Sequence, residues 1–314
     1  MPPICGRAFR HFTKEKRERS ADTSILSAYM PLGRYALRRF GGTALRPQGR
    51  KAVRRMHVLA IVNQKGGVGK TNVAANLGAC LAGRGRRVVA IDADPQATLT
   101  KMLLPTADAE AGTAAVFADD PPAAEDLLIE IPAFGLRLMP SDFDRLEGMQ
   151  STLQRDPTRL FGLAQAIAPL DERVDYVLID CPPNYGQLTI AALYAATGVI
   201  VPIDCSREAV GGLGLLLRTL RRVERVNHVP IATVVATAYK AGNTFHPSII
   251  AGVRDALSDA PLYTIRDAID VQRAVSQNMP IRLFAPKNGA AADYDALAEA
   301  LDAKLAGAPE VARA

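Results

Sequence analysis

Tryptophan is absent from this sequence of 314 residues, and aromatic residues of all kinds make up only 5% of it. No apolar run approaches the roughly 18 residues that a transmembrane helix needs, so we expect no membrane span. The cysteines show neither the pairing of a metal site nor the density of a disulfide framework. They are Cys5, Cys80, Cys181 and Cys205. These absences favour a protein of a reducing compartment over the secreted and membrane classes.

Charge is distributed unevenly along the chain. Residues 1–55 hold 14 Lys/Arg and 3 Asp/Glu, whereas the remainder holds 24 basic and 29 acidic residues, a net charge of −5. Residues 1–55 therefore form a basic N-terminal extension. Three interpretations remain open: a disordered basic arm for nucleic acid or anionic surfaces, a small helical appendage, or a mis-annotated start. The last is plausible because the first predicted strand begins directly after Met56.

From residue 56 onward, short apolar runs alternate with helical stretches, which is typical of an α/β fold. We expect one domain over residues 56–305, with a doubly wound, mostly parallel sheet and helices on both faces, then a tail at residues 306–314. The predicted strands are Val58–Val62, Arg87–Ile91, Leu136–Met139, Tyr176–Ile179, Val199–Ile203, Ile231–Ala236 and Tyr263–Ile265. The predicted helices are Thr71–Gly83, Asp142–Gln154, Thr158–Ala168, Gly186–Ala195, Glu208–Val226, Pro247–Ser258, Val271–Gln277 and Ala290–Leu305. Ligands of such folds bind at the carboxyl ends of the strands.

A glycine- and lysine-rich loop lies between the first predicted strand and the first predicted helix. Its residues, Gln64 to Thr71, fit the phosphate-loop pattern G-x-x-x-x-G-K-[ST], with Gln64 at the place of the usual first glycine. The loop also carries a second lysine, Lys65, five residues before Lys70. Spacing alone does not distinguish a functional Lys65 from a solvated loop lysine.

The chemistry of this loop predicts binding of a nucleoside triphosphate with Mg²⁺. Glycines let the backbone N–H groups close around phosphate oxygens, and the following helix N-terminus favours an anion. We expect Lys70 to neutralise the β- and γ-phosphates and the Thr71 hydroxyl to ligate Mg²⁺. The predicted nucleotide-binding residues are Lys65, Gly66, Gly67, Val68, Gly69, Lys70, Thr71 and Asn72.

Acidic residues end two further predicted strands. Asp92 and Asp94 follow the second strand, and Asp180 follows Ile179. A carboxylate at the end of a buried strand is costly unless a cation pairs with it, and Mg²⁺ held by Thr71 would be that cation. Asp92 and Asp94 are harder to separate. One could orient the attacking water while the other supports the metal shell, or either could only brace the loop.

Three motifs together resemble those of the ParA/MinD family of P-loop ATPases, whose phosphate loop deviates from the common pattern. They are Lys65 to Thr71, the D-x-D-P-Q run at 92–96 and the I-D-C-P-P run at 179–183. The resemblance extends over residues 56–305. The chain departs from the family pattern at Asn72, at the run 97–100 after D-P-Q, and at Gly211.

The resemblance implies an ATP hydrolase with ATP and Mg²⁺ as cofactors, which forms a nucleotide-sandwich homodimer. In such a dimer Lys65 reaches the partner's phosphates, and Asp94 positions the hydrolytic water. The implied catalytic residues are Lys65, Lys70 and Asp94. The implied metal-site residues are Thr71, Asp180 and Asp92. We expect adenine contacts at residues 237–239.

The helix predicted over Glu208–Val226 carries four arginines on one face. Arg218, Arg221, Arg222 and Arg225 follow i, i+3, i+4, i+7 spacing, and leucines fill the opposite face. On a domain of net negative charge such a stripe suggests nonspecific contact with DNA phosphates, although a solvated helix face would give the same pattern. The chain ends without a basic amphipathic helix, so membrane targeting is disfavoured.

These features predict a ParA-type ATPase that drives plasmid or chromosome partition. Its expected partners are nonspecific DNA and a ParB-like activator protein, with no membrane, and its expected location is the nucleoid in the bacterial cytoplasm. Two alternatives remain open. The chain could be a ParA-like ATPase that positions a protein cargo, or a nucleotide-dependent DNA-binding regulator with little hydrolysis.

Overall fold

A single eight-stranded sheet forms the centre of the domain. The computed structural model describes residues 56–105 and 111–306, so the predicted extension at 1–55 and the tail beyond Ala306 lie outside the described residues. The strands run in the spatial order β3-β4-β2-β5-β1-β6-β7-β8, and all neighbours are parallel except the pair β3 and β4. They are β1 (His57–Ile61), β2 (Val88–Asp92), β3 (Ile129–Ile131), β4 (Leu136–Met139), β5 (Tyr176–Asp180), β6 (Gly198–Asp204), β7 (Ile231–Tyr239) and β8 (Leu262–Arg266).

Helices cover both faces of this sheet, as a parallel sheet requires. In the described residues they are α1 (Lys70–Gly83), α2 (Thr98–Leu103), α3 (Phe143–Arg155), α4 (Gly162–Ile167), α5 (Gln187–Ala195), α6 (Arg207–Val223), α7 (His246–Ala256), α8 (Ile269–Ser276), α9 (Ile281–Phe284) and α10 (Gly289–Ala306). Short 3₁₀ turns lie at Thr113–Phe117, Ala124–Leu127, Pro157–Phe161 and Ala168–Leu170. None of the described helices is long and apolar enough to cross a membrane.

The core has two layers because successive residues of a strand point to opposite faces. In β1, Val58 and Ala60 pack in the layer covered by α3 to α7, whereas Leu59 and Ile61 pack in the layer covered by α1, α2 and α8 to α10. The buried stretch of α1 includes the small residues Ala74, Ala75, Gly78 and Ala79. A Cβ at Gly78 would lie 3.2 Å from Leu136 Cδ2, so this helix lies close to the strands. The predicted doubly wound fold is confirmed.

The predicted elements differ from the structure where local signals are weak. The strand β3 has three residues and lies in the stretch 106–132, which shows little periodicity; it is held by antiparallel pairing to β4. The helix α2 has no capping side chain, because the side chain of Ala97 before it carries no hydrogen-bond acceptor; Ala97 lies in the left-handed region at φ 52°. The helix α9 has only four residues. At α6 the helix ends at Val223, before the predicted end, so Arg225 lies in the turn that follows.

Candidate functional site

The order of the strands brings the three sequence motifs to one edge of the sheet. The strand β5 lies between β1 and β2, with Asp180 in register with both Ile61 and Asp92. The glycine-rich loop leaves the end of β1, the D-x-D run leaves the end of β2, and Asp180 ends β5. Residues more than a hundred positions apart in sequence therefore share one site.

The loop between β1 and α1 has the backbone of a phosphate cradle. Gly67 and Gly69 adopt φ of +74° and +84°, a region that residues with a Cβ rarely occupy. A Cβ at Gly69 would also lie 3.4 Å from Thr237 Cγ2. The first turn of α1 contains no acidic residue, so the positive end of its dipole is not neutralised by a carboxylate of that turn. This geometry suits an anion such as a phosphate group.

Lys70 is directed into the site rather than into solvent. Its side chain is buried, and its Nζ donates to the Lys65 carbonyl oxygen at 3.2 Å. Burial lowers the pKa of Lys70, and the nearby carboxylates of Asp180 and Asp94 oppose that shift. A cation that is partly desolvated and lies close to two carboxylates is well suited to neutralise phosphate charge.

Asp180 is the least satisfied polar group of the site. It is fully buried, and neither of its carboxylate oxygens has a hydrogen-bond partner among the described residues. Burial raises its pKa well above the ordinary value, as does the charge of Asp92, and the nearby Thr71 hydroxyl and Lys70 offset part of that rise. A buried, unpartnered carboxylate beside a hydroxyl is the donor set that Mg²⁺ takes. Thr71 and Asp180 therefore fit a bound Mg²⁺ ion.

Asp92 has a different environment, although it is equally buried. Its Oδ2 accepts hydrogen bonds from the Thr100 N–H at 2.8 Å and the Thr100 hydroxyl at 2.7 Å, and its Oδ1 accepts from the Asp94 N–H at 3.2 Å. Burial raises the pKa of Asp92 to about 6, against the effect of these hydrogen bonds. Protein donors thus engage both oxygens of Asp92. This contact pattern favours the bracing role that the sequence left open, and a role as metal ligand stays a prediction.

Asp94 follows β2 and is largely buried. Its side chain is 9% exposed, and its Oδ1 accepts the Gln96 N–H at 3.0 Å. The effect of Asp94 on the pKa of Lys70 places the two charges near each other. Its carboxylate is thus close to the phosphate loop.

Lys65 extends across to the junction of β6 and α6. Its Nζ lies 2.5 Å from Asp204 Oδ2 and 2.9 Å from Ser206 Oγ, with Glu208 Oε2 at 4.0 Å. Lys65, Asp204 and Glu208 line a cleft of about 380 Å³ together with Asn63 and Gln64. The side chain of Lys65 remains 41% exposed. Sequence reasoning missed this acidic set, because Asp204 and Lys65 are 139 positions apart and no motif joins them.

Polar side chains support both the phosphate loop and the helix that follows it. The Thr237 hydroxyl lies 2.9 Å from the Val68 carbonyl oxygen and 3.1 Å from that of Ile203, so β7 supports the loop; whether residues 237–239 also contact adenine stays a prediction. The Asn72 side chain accepts a hydrogen bond from Asn76 Nδ2 at 2.6 Å. Asn72 is thus engaged within α1.

The arginine stripe is exposed to solvent. Arg218, Arg221 and Arg222 project from α6, and Arg225 lies in the turn after it. The opposite side of α6 is buried through Leu213, Leu216 and Val223. The helix thus has arginines on its exposed side and apolar residues on its buried side, as predicted, but it ends earlier than predicted.

The parallel sheet, the glycine loop at the start of α1, and the lysine and carboxylates around it define a P-loop nucleoside triphosphatase. The family model that matches the chain is described as an AAA domain and covers residues 56–231. The chain belongs to the ParA/MinD family of P-loop ATPases, and the resemblance seen in the sequence is confirmed.

Several known proteins are similar to this chain along most of their length. The sporulation initiation inhibitor protein Soj of Bacillus subtilis is 34% identical over 246 residues, which are 77% of this chain and 96% of Soj. The chromosome partitioning protein ParA of Caulobacter vibrioides is 36% identical over 238 residues, 73% of this chain and 87% of ParA. A solved structure of cobyrinic acid a,c-diamide synthase from Mycobacterium smegmatis, with bound ATP analog and magnesium, has a TM-score of 0.69 at 32% identity; the match covers 80% of this chain and 96% of that one.

Proposed function

We propose that the protein is a ParA-type partition ATPase. It binds ATP with Mg²⁺, forms a nucleotide-sandwich homodimer, holds DNA nonspecifically and hydrolyses ATP slowly. The observation that carries this proposal is the buried, unpartnered carboxylate of Asp180 beside Thr71 and Lys70. Such a carboxylate is expensive to bury unless a cation reaches it, and a nucleotide-bound Mg²⁺ is the cation that this loop would deliver.

Each residue of the site has a chemical task in this proposal. The loop N–H groups and Lys70 hold the β- and γ-phosphates, and Thr71 and Asp180 hold Mg²⁺, which draws charge from the phosphate oxygens when it is bound. Asp94 orients the attacking water through its carboxylate. Lys65 leaves its own subunit's acidic residues and reaches the partner's phosphates across the dimer.

The relatives support partition as the task of this ATPase, since ParA of Caulobacter vibrioides is described as a chromosome partitioning protein. We therefore place the protein on the nucleoid in the bacterial cytoplasm, with a ParB-like activator as its partner. The test is the ATPase rate of the full chain alone, with DNA, and with DNA plus the candidate activator. Stimulation by both together supports partition, and a rate that neither changes would contradict it.

In the monomer, contacts within its own subunit hold the Lys65 side chain in a resting position. Asp204 and Ser206 hold the lysine within its own subunit, and the lysine must leave them before it can cross to the partner. Both side chains are partly exposed, so this ion pair contributes at most about 1 kcal/mol. The contact therefore opposes dimerisation weakly and is broken readily once ATP is bound.

Replacement of Asp204 by asparagine weakens this hold on Lys65. We expect Asp204→Asn to lower the ATP concentration at which half of the protein is dimeric by about two- to fivefold. Light scattering during an ATP titration measures that midpoint. Asp270→Asn is the matched control, because it removes the carboxylate of an exposed ion pair with Arg273 at 3.1 Å. An unchanged or higher midpoint for Asp204→Asn would contradict the resting-state contact.

The arginine stripe is the proposed DNA surface. Its arginines lie on the exposed side of α6 and its following turn, on a domain whose net charge is otherwise negative. DNA binding through contacts between arginines and phosphates is independent of the base sequence, and its affinity falls steeply as salt rises.

Charge reversal tests this surface. The double change Arg221→Glu and Arg222→Glu should weaken ATP-dependent DNA binding by about tenfold or more at moderate salt, and lower the salt slope by about 2. Fluorescence anisotropy with a random duplex measures both. The matched control is Arg155→Glu with Arg173→Glu, which makes the same change of charge at other exposed arginines. An equal loss of DNA binding in both double variants would indicate a general charge effect. Wild-type DNA binding by the Arg221→Glu, Arg222→Glu variant would refute the proposed surface.

A further inference from the structure

A buried hydrogen-bond network joins the end of β4 to the loop that carries Asp94. Thr100 is its centre. The Thr100 hydroxyl donates to Asp92 Oδ2 at 2.7 Å and accepts the Ser141 N–H at 2.8 Å, while the Thr100 N–H donates to the same Asp92 oxygen at 2.8 Å. Asp92, Thr100 and Ser141 are 0%, 7% and 5% exposed. Each hydroxyl and N–H therefore bonds to protein rather than to bulk water.

The same network holds the backbone of the D-x-D run at two points. The Ser141 hydroxyl donates to the Asp94 carbonyl oxygen at 2.8 Å, and the Thr113 hydroxyl donates to the Asp92 carbonyl oxygen at 2.8 Å. The Asp94 N–H is also bonded to Asp92 Oδ1. Side chains from outside the run thus hold the peptide units that follow Asp92 and Asp94, and the Asp92 carboxylate holds the unit between them.

The side chain of Asp94, by contrast, has little support of its own. Among the described residues its carboxylate accepts one hydrogen bond, from the Gln96 N–H at 3.0 Å. The direction of that carboxylate is therefore set mainly by the backbone that carries it. Whatever fixes the backbone also fixes the point at which the carboxylate meets a ligand.

We infer that Thr100 and Ser141 are positioning residues for ATP hydrolysis, and that Asp92 is the anchor of their network. They hold the Asp94 backbone so that its carboxylate meets the attacking water in line with the phosphate. This inference rests on the proposed function, in which Asp94 orients that water. It assigns to Asp92 the bracing role, because protein donors already engage both of its oxygens.

Removal of the Thr100 hydroxyl at nearly constant volume is the direct test. We expect Thr100→Val to lower kcat by about tenfold or more, while the ATP dissociation constant stays within about twofold. The variant should also accumulate as a dimer in ATP, since hydrolysis and not assembly is impaired. Thr100→Ser keeps the hydroxyl and should restore kcat to within about threefold of the wild-type value. Ser141→Ala should lower kcat in the same direction.

Thr233→Val separates positioning from stability. Thr233 lies on β7, outside this network, and is also fully buried. Its hydroxyl donates to the Pro261 carbonyl oxygen at 3.0 Å. All variants of the full chain are assayed well below their measured unfolding temperatures. We expect Thr233→Val to lose stability but to keep kcat. Two results would overturn the inference: equal slowing of hydrolysis in Thr233→Val and Thr100→Val, or failure of Thr100→Ser to restore kcat. Either would show that Thr100 has only a structural role.

The assay also separates this inference from the proposal beneath it. If Asp94→Ala is inactive while Thr100→Val turns over at the wild-type rate, the positioning network is wrong and the proposed function stands. If Asp94→Ala is as active as the wild type, the proposed role of Asp94 falls, and the inference falls with it.

Discussion

Asp94→Ala is expected to lower the ATPase rate by about 10²-fold or more, which is the usual contribution of a residue that handles the proton or water of the attack. Binding of ATP should persist, because the phosphate loop and Lys70 are untouched. The variant should therefore accumulate as an ATP-bound dimer. Single-turnover hydrolysis and sedimentation velocity on the same sample measure the two effects together.

The matched control is Asp120→Ala, which removes an exposed carboxylate far along the chain from the D-x-D run. It should hydrolyse ATP at the wild-type rate and show no extra dimer. A wild-type rate in Asp94→Ala would show that another group orients the water. Slow hydrolysis without a dimer would instead indicate that Asp94 is needed for assembly.

Lys65→Ala is expected to abolish ATP-dependent dimerisation while the monomer still binds ATP. A charge-assisted contact that crosses an interface and is lost on one side costs about 2–5 kcal/mol, which is roughly 30-fold or more in the dimer dissociation constant. Among the described residues, the acceptors that the Lys65 side chain contacts in the monomer are partly or largely exposed, so its removal should barely change stability. A fluorescent ATP analogue measures binding, and light scattering measures the dimer.

Arg273→Ala serves as its control, because Arg273 is likewise an exposed cation paired with a nearby aspartate. This variant should dimerise normally. If Lys65→Ala dimerises as well as the wild type, the lysine is only a surface residue held by Asp204. If Lys65→Ala fails to bind ATP, its role lies within the monomer.

Local sequence signals predicted the phosphate loop because its chemistry is contiguous. Gly67, Gly69, Lys70 and Thr71 follow one another, and the strand and helix that flank them have clear apolar patterns. The same holds for Asp180, since a carboxylate that ends a fully apolar strand is unusual enough to mark a site. Parallel packing then predicts that such strand ends meet.

The residues that support the site could not be predicted in this way. Asp204 meets Lys65 only because β6 lies next to β1, and Ser141 meets Thr100 only because β4 lies next to β2. Serine, threonine and aspartate are common residues, so nothing in the sequence distinguishes Asp204, Ser141 and Thr100 from others of their kind. Strand order, which periodicity does not determine, decides which of them come together.

The role of Asp92 illustrates the same limit. From sequence, Asp92 and Asp94 are two similar carboxylates after one strand, and water orientation, metal support and bracing are all open. Hydrogen bonds set Asp92 apart: both of its oxygens accept bonds, from Thr100 and the Asp94 N–H. In the described residues the Asp94 carboxylate accepts one bond, from the Gln96 N–H, and the Asp180 carboxylate accepts none. Three-dimensional contacts, not residue type, distinguish an anchor from a candidate metal ligand.

The most direct test of a dimer that shares its nucleotides is sedimentation velocity of the full chain with Mg²⁺ and either ATP or ADP. A nucleotide shared between two subunits requires the γ-phosphate, so we expect a dimer in ATP that returns to monomer as ATP is hydrolysed, and a monomer in ADP. The same oligomeric state in both nucleotides would contradict it.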